Sequence, residues 1–91
     1  MPHAASVVLV NEVGLHARPS VKLTQLAKTF EAQIEFALTP EGPWTDAKSP
    51  VKVMRVKAPK GATLYFRAEG RDEQAAIEAV IGLVAQKFGE E

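Results

Sequence analysis

Cysteine is absent from this sequence, which excludes disulfides, thiolate metal sites and thiol catalysis. An excess of either charge is also absent, because 11 lysine and arginine residues balance 11 aspartate and glutamate residues. The chain as a whole therefore lacks the positive field that attracts nucleic acid or an anionic membrane surface. We expect a cytoplasmic protein whose partners recognise a local surface, with no nucleic acid among them.

Long apolar runs are missing as well, since no stretch approaches the roughly 20 apolar residues that span a bilayer. The short apolar run at residues 7–10 has no basic segment before it and stops at Asn11 and Glu12, which favours a β-strand over a secretion signal. We therefore expect no direct membrane insertion. The apolar share of 46% is high enough for a core, and the length suits one domain, predicted over residues 1–91.

The period of the apolar residues predicts seven elements in the order β-α-β-β-α-β-α. Strand patterns lie at residues 6–11, 34–38, 44–47 and 62–69. A first helix is expected from Pro19 to about residue 30, because its apolar residues recur at helical spacing. Those residues are Val21, Leu23, Leu26, Ala27 and Phe30.

Two further helices have recognisable starts. Ser49 followed by Pro50 is typical of an N-cap and a first helical position, so a short helix should begin there. Asp72 is the candidate N-cap of a final helix that should run to Gly89. Amphipathic helices can cover one face of a small antiparallel sheet, so we predict an α+β fold, an open-faced two-layer β-sandwich with its other sheet face uncovered.

One histidine stands where chemistry is expected. The segment GLHARPS at residues 14–20 places His16 between a loop and the start of the first helix. The first N–H groups of a helix have no internal acceptor and lie at the positive end of its dipole, so they bind anions. A phosphoryl group on His16 would meet the amides of Ala17 and Arg18. A neutral imidazole is a competent nucleophile, and the Arg18 guanidinium suits phosphate oxygens.

The residues around His16 agree with this interpretation. Pro19 has no N–H to lose in the first helical turn, and its fixed φ suits that position. Gly14 permits a backbone conformation or a close approach that a side chain would forbid. Leu15 is expected to anchor the loop to the core.

The segment GLHARPS resembles the active-site signature of HPr, the histidine-containing phosphocarrier family of the bacterial sugar phosphotransferase system. The resemblance extends over the chain length, the order of elements, the Lys48-Ser49 step and the closing segment KGATLYFRAEGRDEQAA. It implies a four-stranded antiparallel sheet of order 1-4-2-3. It also implies that His16 is phosphorylated on Nδ1 by enzyme I and passes the group to a IIA domain or a related acceptor.

Three features depart from the family pattern. Ser49 matches a serine that a dedicated kinase phosphorylates and a phosphorylase restores in many bacteria, but Pro50 alters the sequence after it. Ser49 is therefore either a regulatory site or only an N-cap. Lys57 stands where a glycine commonly follows the short helix, and a change in that loop is expected. The segment 40–44 is an unusual insert with no functional account.

A partner surface is expected beside His16 on the short helix. It would hold an apolar patch with basic residues at its rim, and at least one apolar residue of that helix should instead belong to the core. The predicted members are Leu15, Ser20, Lys28, Val51, Lys52, Met54 and Arg55.

Two functions remain open from the sequence. The first is a monomeric phosphoryl relay, which is not an enzyme because the carrier itself is modified and must be recharged. The second is a regulatory binding module of the same fold, whose partner choice depends on phosphorylation of His16 or Ser49. A metal site at His16 is not expected, since no second histidine or cysteine is available to it and the nearby carboxylates lack ligand spacing. No cofactor is expected.

Overall fold

The elements observed in the computed structural model follow the predicted order, and the structure describes residues 3–12 and 14–89, with the backbone alone for His3. The elements are β1 (His3–Val8), α1 (Ala17–Ala27), β2 (Gln33–Ala37), β3 (Thr45–Asp46), α2 (Pro50–Val56), β4 (Thr63–Glu69) and α3 (Glu73–Ala85), followed by a 3-10 turn at Lys87–Gly89. No helix within these residues is long and apolar enough to cross a membrane.

The four strands form one antiparallel sheet of order β1-β4-β2-β3, which confirms the predicted 1-4-2-3 topology. The central strand β4 alternates, with Leu64 and Phe66 buried against the helices while Arg67 lies on the opposite face. The Phe66 ring packs on that of Phe36 in β2, with centroids 5.6 Å apart. The helices therefore cover one face of the sheet, and the α+β open-faced sandwich is confirmed.

Several predicted boundaries were wrong by a few residues. Strand β1 pairs with β4 from His3 to Val8, not over residues 6–11, because Asn11 turns the chain away: its side-chain amide donates to the Gly14 carbonyl at 2.7 Å. Helix α1 begins at Ala17, two residues before Pro19, and ends at Ala27. Proline in the first turn removes no helical hydrogen bond, so it can stand inside the start.

The end of the last helix also differs from its prediction. Helix α3 stops at Ala85, and Lys87 and Phe88 then take left-handed φ values of 57° and 58°. This reversal turns the Phe88 side chain into the core, where it is 1% exposed. The Lys22 ammonium donates to the Phe88 carbonyl at 2.7 Å, which holds the chain end against α1.

The buried side of α1 was predicted with one wrong member. Leu23, Ala27 and the small polar residue Ser20 are buried, whereas Val21 is 39% exposed. Since a helix advances about 100° per residue, a buried row that includes Ser20 and Leu23 directs Val21 away from the core.

The 40–44 insert ends in a contact on the open face of the sheet. The Trp44 ring lies 4.0 Å from the guanidinium carbon of Arg67 in β4, and that guanidinium is paired with Glu35 of β2 at 2.8 Å. Strands β4 and β2 are the two inner strands of the sheet, so the insert packs across the sheet and covers part of its face. Cation–π stacking of this kind favours arginine over lysine.

Asp72 occupies the N-cap position of α3 but caps a different segment from the one predicted. Its carboxylate accepts hydrogen bonds from the N–H groups of Glu31 at 2.9 Å and Ala32 at 2.8 Å, and makes none to α3. Hydrogen bonds from the Glu31 and Ala32 amides, helped by the charge of Lys48, hold the pKa of Asp72 below its usual value against the opposing effect of burial. Asp72 thus ties the start of α3 to the loop before β2.

This lowered pKa predicts how stability depends on pH. A carboxyl group with a lower pKa in the folded state stabilises the fold above its unfolded pKa, near 3.8, and this contribution is lost as pH falls through the folded value. We expect Asp72→Asn to lower the urea midpoint at pH 7 and to make the difference from wild type shrink below pH 4. Urea unfolding at pH 3 and pH 7 checks this; a difference that is the same at both values would contradict it.

Candidate functional site

His16 is the N-cap residue of α1. Its backbone is extended, with φ −102° and ψ −168°, and its carbonyl accepts the first helical hydrogen bond from the Ser20 N–H at 2.9 Å. Its side chain makes no capping hydrogen bond to the helix, every residue of which the structure describes, and it is exposed. The imidazole is therefore not used to stabilise the fold and stands open to a reacting partner.

The first turn of α1 supplies an anion site beside this imidazole. The amides of Ala17 and Arg18 precede the first helical donor, Ser20, and so have no helical acceptor. Both residues are exposed, and the helix dipole adds partial positive charge at the same place. A dianionic group on His16 would find two N–H donors within its own turn.

The loop that carries His16 is fixed from beneath. Leu15 is 2% exposed and donates its N–H to the Ala58 carbonyl at 2.8 Å, which confirms it as the core anchor. Gly14 has φ +68°, and a Cβ at this position would lie 2.4 Å from the Ala58 carbonyl oxygen. The loop thus packs backbone to backbone on the segment after α2, which only a glycine permits.

That packing forms a shallow depression around the imidazole. Its walls come from the His16 loop and from the end of α2 with the residues after it. The lining residues are Leu15, His16, Ala17, Met54, Lys57, Ala58 and Pro59. The sequence predicted that α2 lies beside His16, and in the structure the α2 residue Met54 lines the same depression as His16.

The predicted partner surface is exposed in part. Val51 and Met54 are apolar yet 59% and 41% exposed, while Val53 of the same helix is fully buried in the core. The basic residues Lys28, Lys52 and Arg55 are exposed as well.

Two members of that surface were wrongly predicted. Leu15 and Ser20 are 2% and 0% exposed, because they face the core from the loop and from the first turn of α1. Their side chains support the site and offer nothing to a partner. Val21 lies one residue beyond Ser20 and shares a second shallow depression with Ala17 and Arg18, so it is a surface residue that the sequence analysis missed.

Charge is unevenly distributed around the site, although the chain is neutral overall. The segments 13–30 and 47–68 contain basic residues and no acidic one. Within the described residues, Arg18 and Lys57 make no hydrogen bond or ion pair, whereas Lys60 is paired with Glu12 at 3.0 Å. Free cations beside exposed apolar side chains favour an acidic partner surface.

Lys57 ends α2 in a left-handed conformation, with φ 53° and ψ 44°. Its replacement of a glycine was expected to change this loop, but the backbone adopts a conformation that glycine favours. The left-handed conformation costs a lysine about 1 kcal/mol. The sequence shows a lysine at the end of a helix, but the placement of that lysine beside His16 depends on the fold.

Ser49 is the N-cap of α2, as predicted, and Pro50 follows at the first helical position. The Ser49 hydroxyl accepts from the Lys52 N–H at 3.4 Å, a long hydrogen bond. A structural role for Ser49 is therefore present, and regulatory phosphorylation stays a prediction. Among residues 3–12 and 14–89, no group of three or more histidine or acidic side chains could hold a metal ion.

An open-faced sandwich with an exposed histidine at the first turn of its first helix defines a class of phosphorylated carrier domains. The family model described as "PTS HPr component phosphorylation site" matches residues 4–86, and the chain belongs to this HPr family of phosphotransferase-system phosphocarriers. The phosphocarrier protein HPr of Cupriavidus necator is 44% identical over 82 residues, which are 90% of each chain.

Two further relatives support the same assignment. The phosphocarrier protein NPr of Escherichia coli K12 is 33% identical over 86 residues, with 94% of each chain covered. Among solved structures, HPr of Thermoanaerobacter tengcongensis superposes with a TM-score of 0.88 at 35% identity and 98% coverage of both chains. The carrier resemblance and the fold expected from the sequence are thereby confirmed.

Proposed function

We propose that this chain accepts a phosphoryl group on His16 from enzyme I and passes it to a IIA domain or a related acceptor. The observation that carries the proposal is the exposed His16 imidazole at the N-cap of α1, beside the unused amides of Ala17 and Arg18. Membership of the HPr family supports a role in a phosphotransferase system. The chain itself is modified and recharged, so we infer a carrier and not an enzyme.

The geometry of this turn supports the following transfer. A neutral ring nitrogen of His16, taken as Nδ1, attacks the phosphorus of the donor. The nitrogen–phosphorus bond forms as the bond from phosphorus to the donor breaks, and that electron pair leaves with the donor. The amides and the Arg18 guanidinium then stabilise the dianionic group. Transfer to the acceptor repeats the exchange with the carrier as donor.

The surface around His16 supports docking of both proteins in turn. Val51 and Met54 provide an exposed apolar centre, and Lys28, Lys52 and Arg55 provide positive charge. Donor and acceptor should each present an acidic rim around an apolar patch. We infer a cytoplasmic monomer, because one face must be free for successive partners.

The test is incubation with enzyme I and phosphoenolpyruvate, followed by intact mass and ³¹P NMR. Wild type and Ser49→Ala should each gain one acid-labile phosphate. If neither gains it with enzyme I from the same organism, the relay is wrong and the regulatory binding module takes its place. If Ser49→Ala alone fails to gain it while remaining folded, Ser49 has a role in transfer that this proposal does not include.

Arg18 offers a graded test of the same mechanism. Loss of a charge-assisted hydrogen bond costs about 2 kcal/mol, so Arg18→Ala should slow transfer from phosphorylated enzyme I by roughly 30-fold. Arg18→Lys should fall between the two, since lysine keeps the charge without the bidentate geometry. Rapid-quench kinetics measure the rates. Because Arg18 is exposed, the urea midpoint should not change, and an unchanged rate in Arg18→Ala would remove it from the mechanism.

A further inference from the structure

We propose that Lys57 is a second cation for the phosphoryl group on His16, an inference that rests on the proposed carrier function. No residue other than Arg18 was expected to supply a side-chain charge there. Lys57 is exposed, lies at the left-handed end of α2 and lines the depression that also contains His16.

The backbone places Lys57 opposite His16. The Leu15 N–H donates to the Ala58 carbonyl at 2.8 Å, and a Cβ added at Gly14 would meet the Ala58 carbonyl and the backbone of Pro59 and Lys60. His16 follows Leu15 on one segment and Lys57 precedes Ala58 on the other, and both residues line the same depression.

The charge of Lys57 is available at this position. Its ammonium makes no hydrogen bond or ion pair with any described residue, in contrast to Lys60, which is paired with Glu12 at 3.0 Å. A lysine side chain is flexible and carries three donors, so it can reach an anion that arrives at the rim of the depression. The helix amides and Arg18 approach from α1, and Lys57 would approach from α2.

The left-handed backbone at Lys57 strengthens the argument. Lysine is disfavoured at φ 53°, a conformation that glycine and asparagine adopt more readily. Strained residues cluster at functional sites, and this one adjoins the reacting histidine. Asparagine at this position would remove the charge and relieve the strain, so loss of function could not be blamed on unfolding.

The experiment compares Lys57→Asn, Lys57→Arg and the remote control Arg71→Gln, each phosphorylated on His16. Arg71 is exposed and lies beyond the far end of β4, a seven-residue strand about 20 Å long. A cation beside the phosphoryl group favours its dianion. The second ionisation of that group, followed by ³¹P NMR on the isolated carrier, should move to higher pH in Lys57→Asn only.

Transfer kinetics provide the second measurement. Lys57→Asn should slow phosphoryl transfer from enzyme I by roughly fivefold, as expected for one exposed charge, and Lys57→Arg should restore it. An unchanged ³¹P titration in Lys57→Asn overturns the proposal, even if transfer slows, because Lys57 would then act on the partner. Absence of phosphate on wild type overturns the carrier function itself, which distinguishes the two failures.

Discussion

His16→Ala is expected to take up no phosphate from enzyme I and phosphoenolpyruvate. The variant removes the imidazole from the depression, and the neighbouring Ala17, Met54 and Pro59 offer no replacement. The helix amides would still attract an anion, but no covalent bond could form. Since the imidazole is exposed and caps nothing, the fold should be retained and the urea midpoint should change little.

The matched control uses the other histidine of the chain. The sequence holds two histidines, so His3→Gln should still gain one acid-labile phosphate under the same conditions. Intact mass spectrometry before and after mild acid treatment distinguishes a phosphohistidine from a phosphoserine. An acid-labile phosphate on His16→Ala would show that another residue is the acceptor.

Gly14→Ala is expected to lower stability more than the addition of a single methyl group at any other position near the site. The new Cβ would overlap the Ala58 carbonyl oxygen, which is backbone and is held by the Leu15 N–H. The left-handed φ of +68° adds its own cost to this clash. Together these should lower the free energy of unfolding by about 2–4 kcal/mol, measured by urea denaturation.

Gly61→Ala is the control that isolates the clash. Gly61 also has a positive φ, +94°, but a Cβ there would meet nothing within 4 Å. It should therefore lose only the conformational part, about 1–2 kcal/mol. Equal losses at both positions would mean that the loop can move away from Ala58. Such movement would also displace His16, and transfer from enzyme I should then slow in Gly14→Ala alone.

Predictions from short sequence patterns were correct where a pattern is typical of a single local structure. Ser49 with Pro50 predicted the start of α2, and the strand pattern at residues 62–69 predicted β4. His16 before a helix start indicated the candidate site, since helix N-termini bind anions wherever they occur. These patterns operate over a few residues, so they can be read without knowing the fold.

The errors arose where distant segments compete for the same group. Asp72 looked like the cap of α3, but the free amides of Glu31 and Ala32 were closer partners in space. Ser20 was predicted to belong to the partner surface and is buried, because the phase of α1 depends on the sheet beneath it. Spacing along the chain contains no information about such long-range contacts.

The sequence by itself determined the order of elements and the histidine at the head of α1. Tertiary structure alone decided that Gly14 packs on Ala58, that Lys57 lines the same depression as His16 and that Trp44 stacks on Arg67. The physical reason is that periodicity and capping are properties of neighbours in the chain. Contacts between loops instead depend on how the sheet brings together segments that are more than twenty residues apart in the chain.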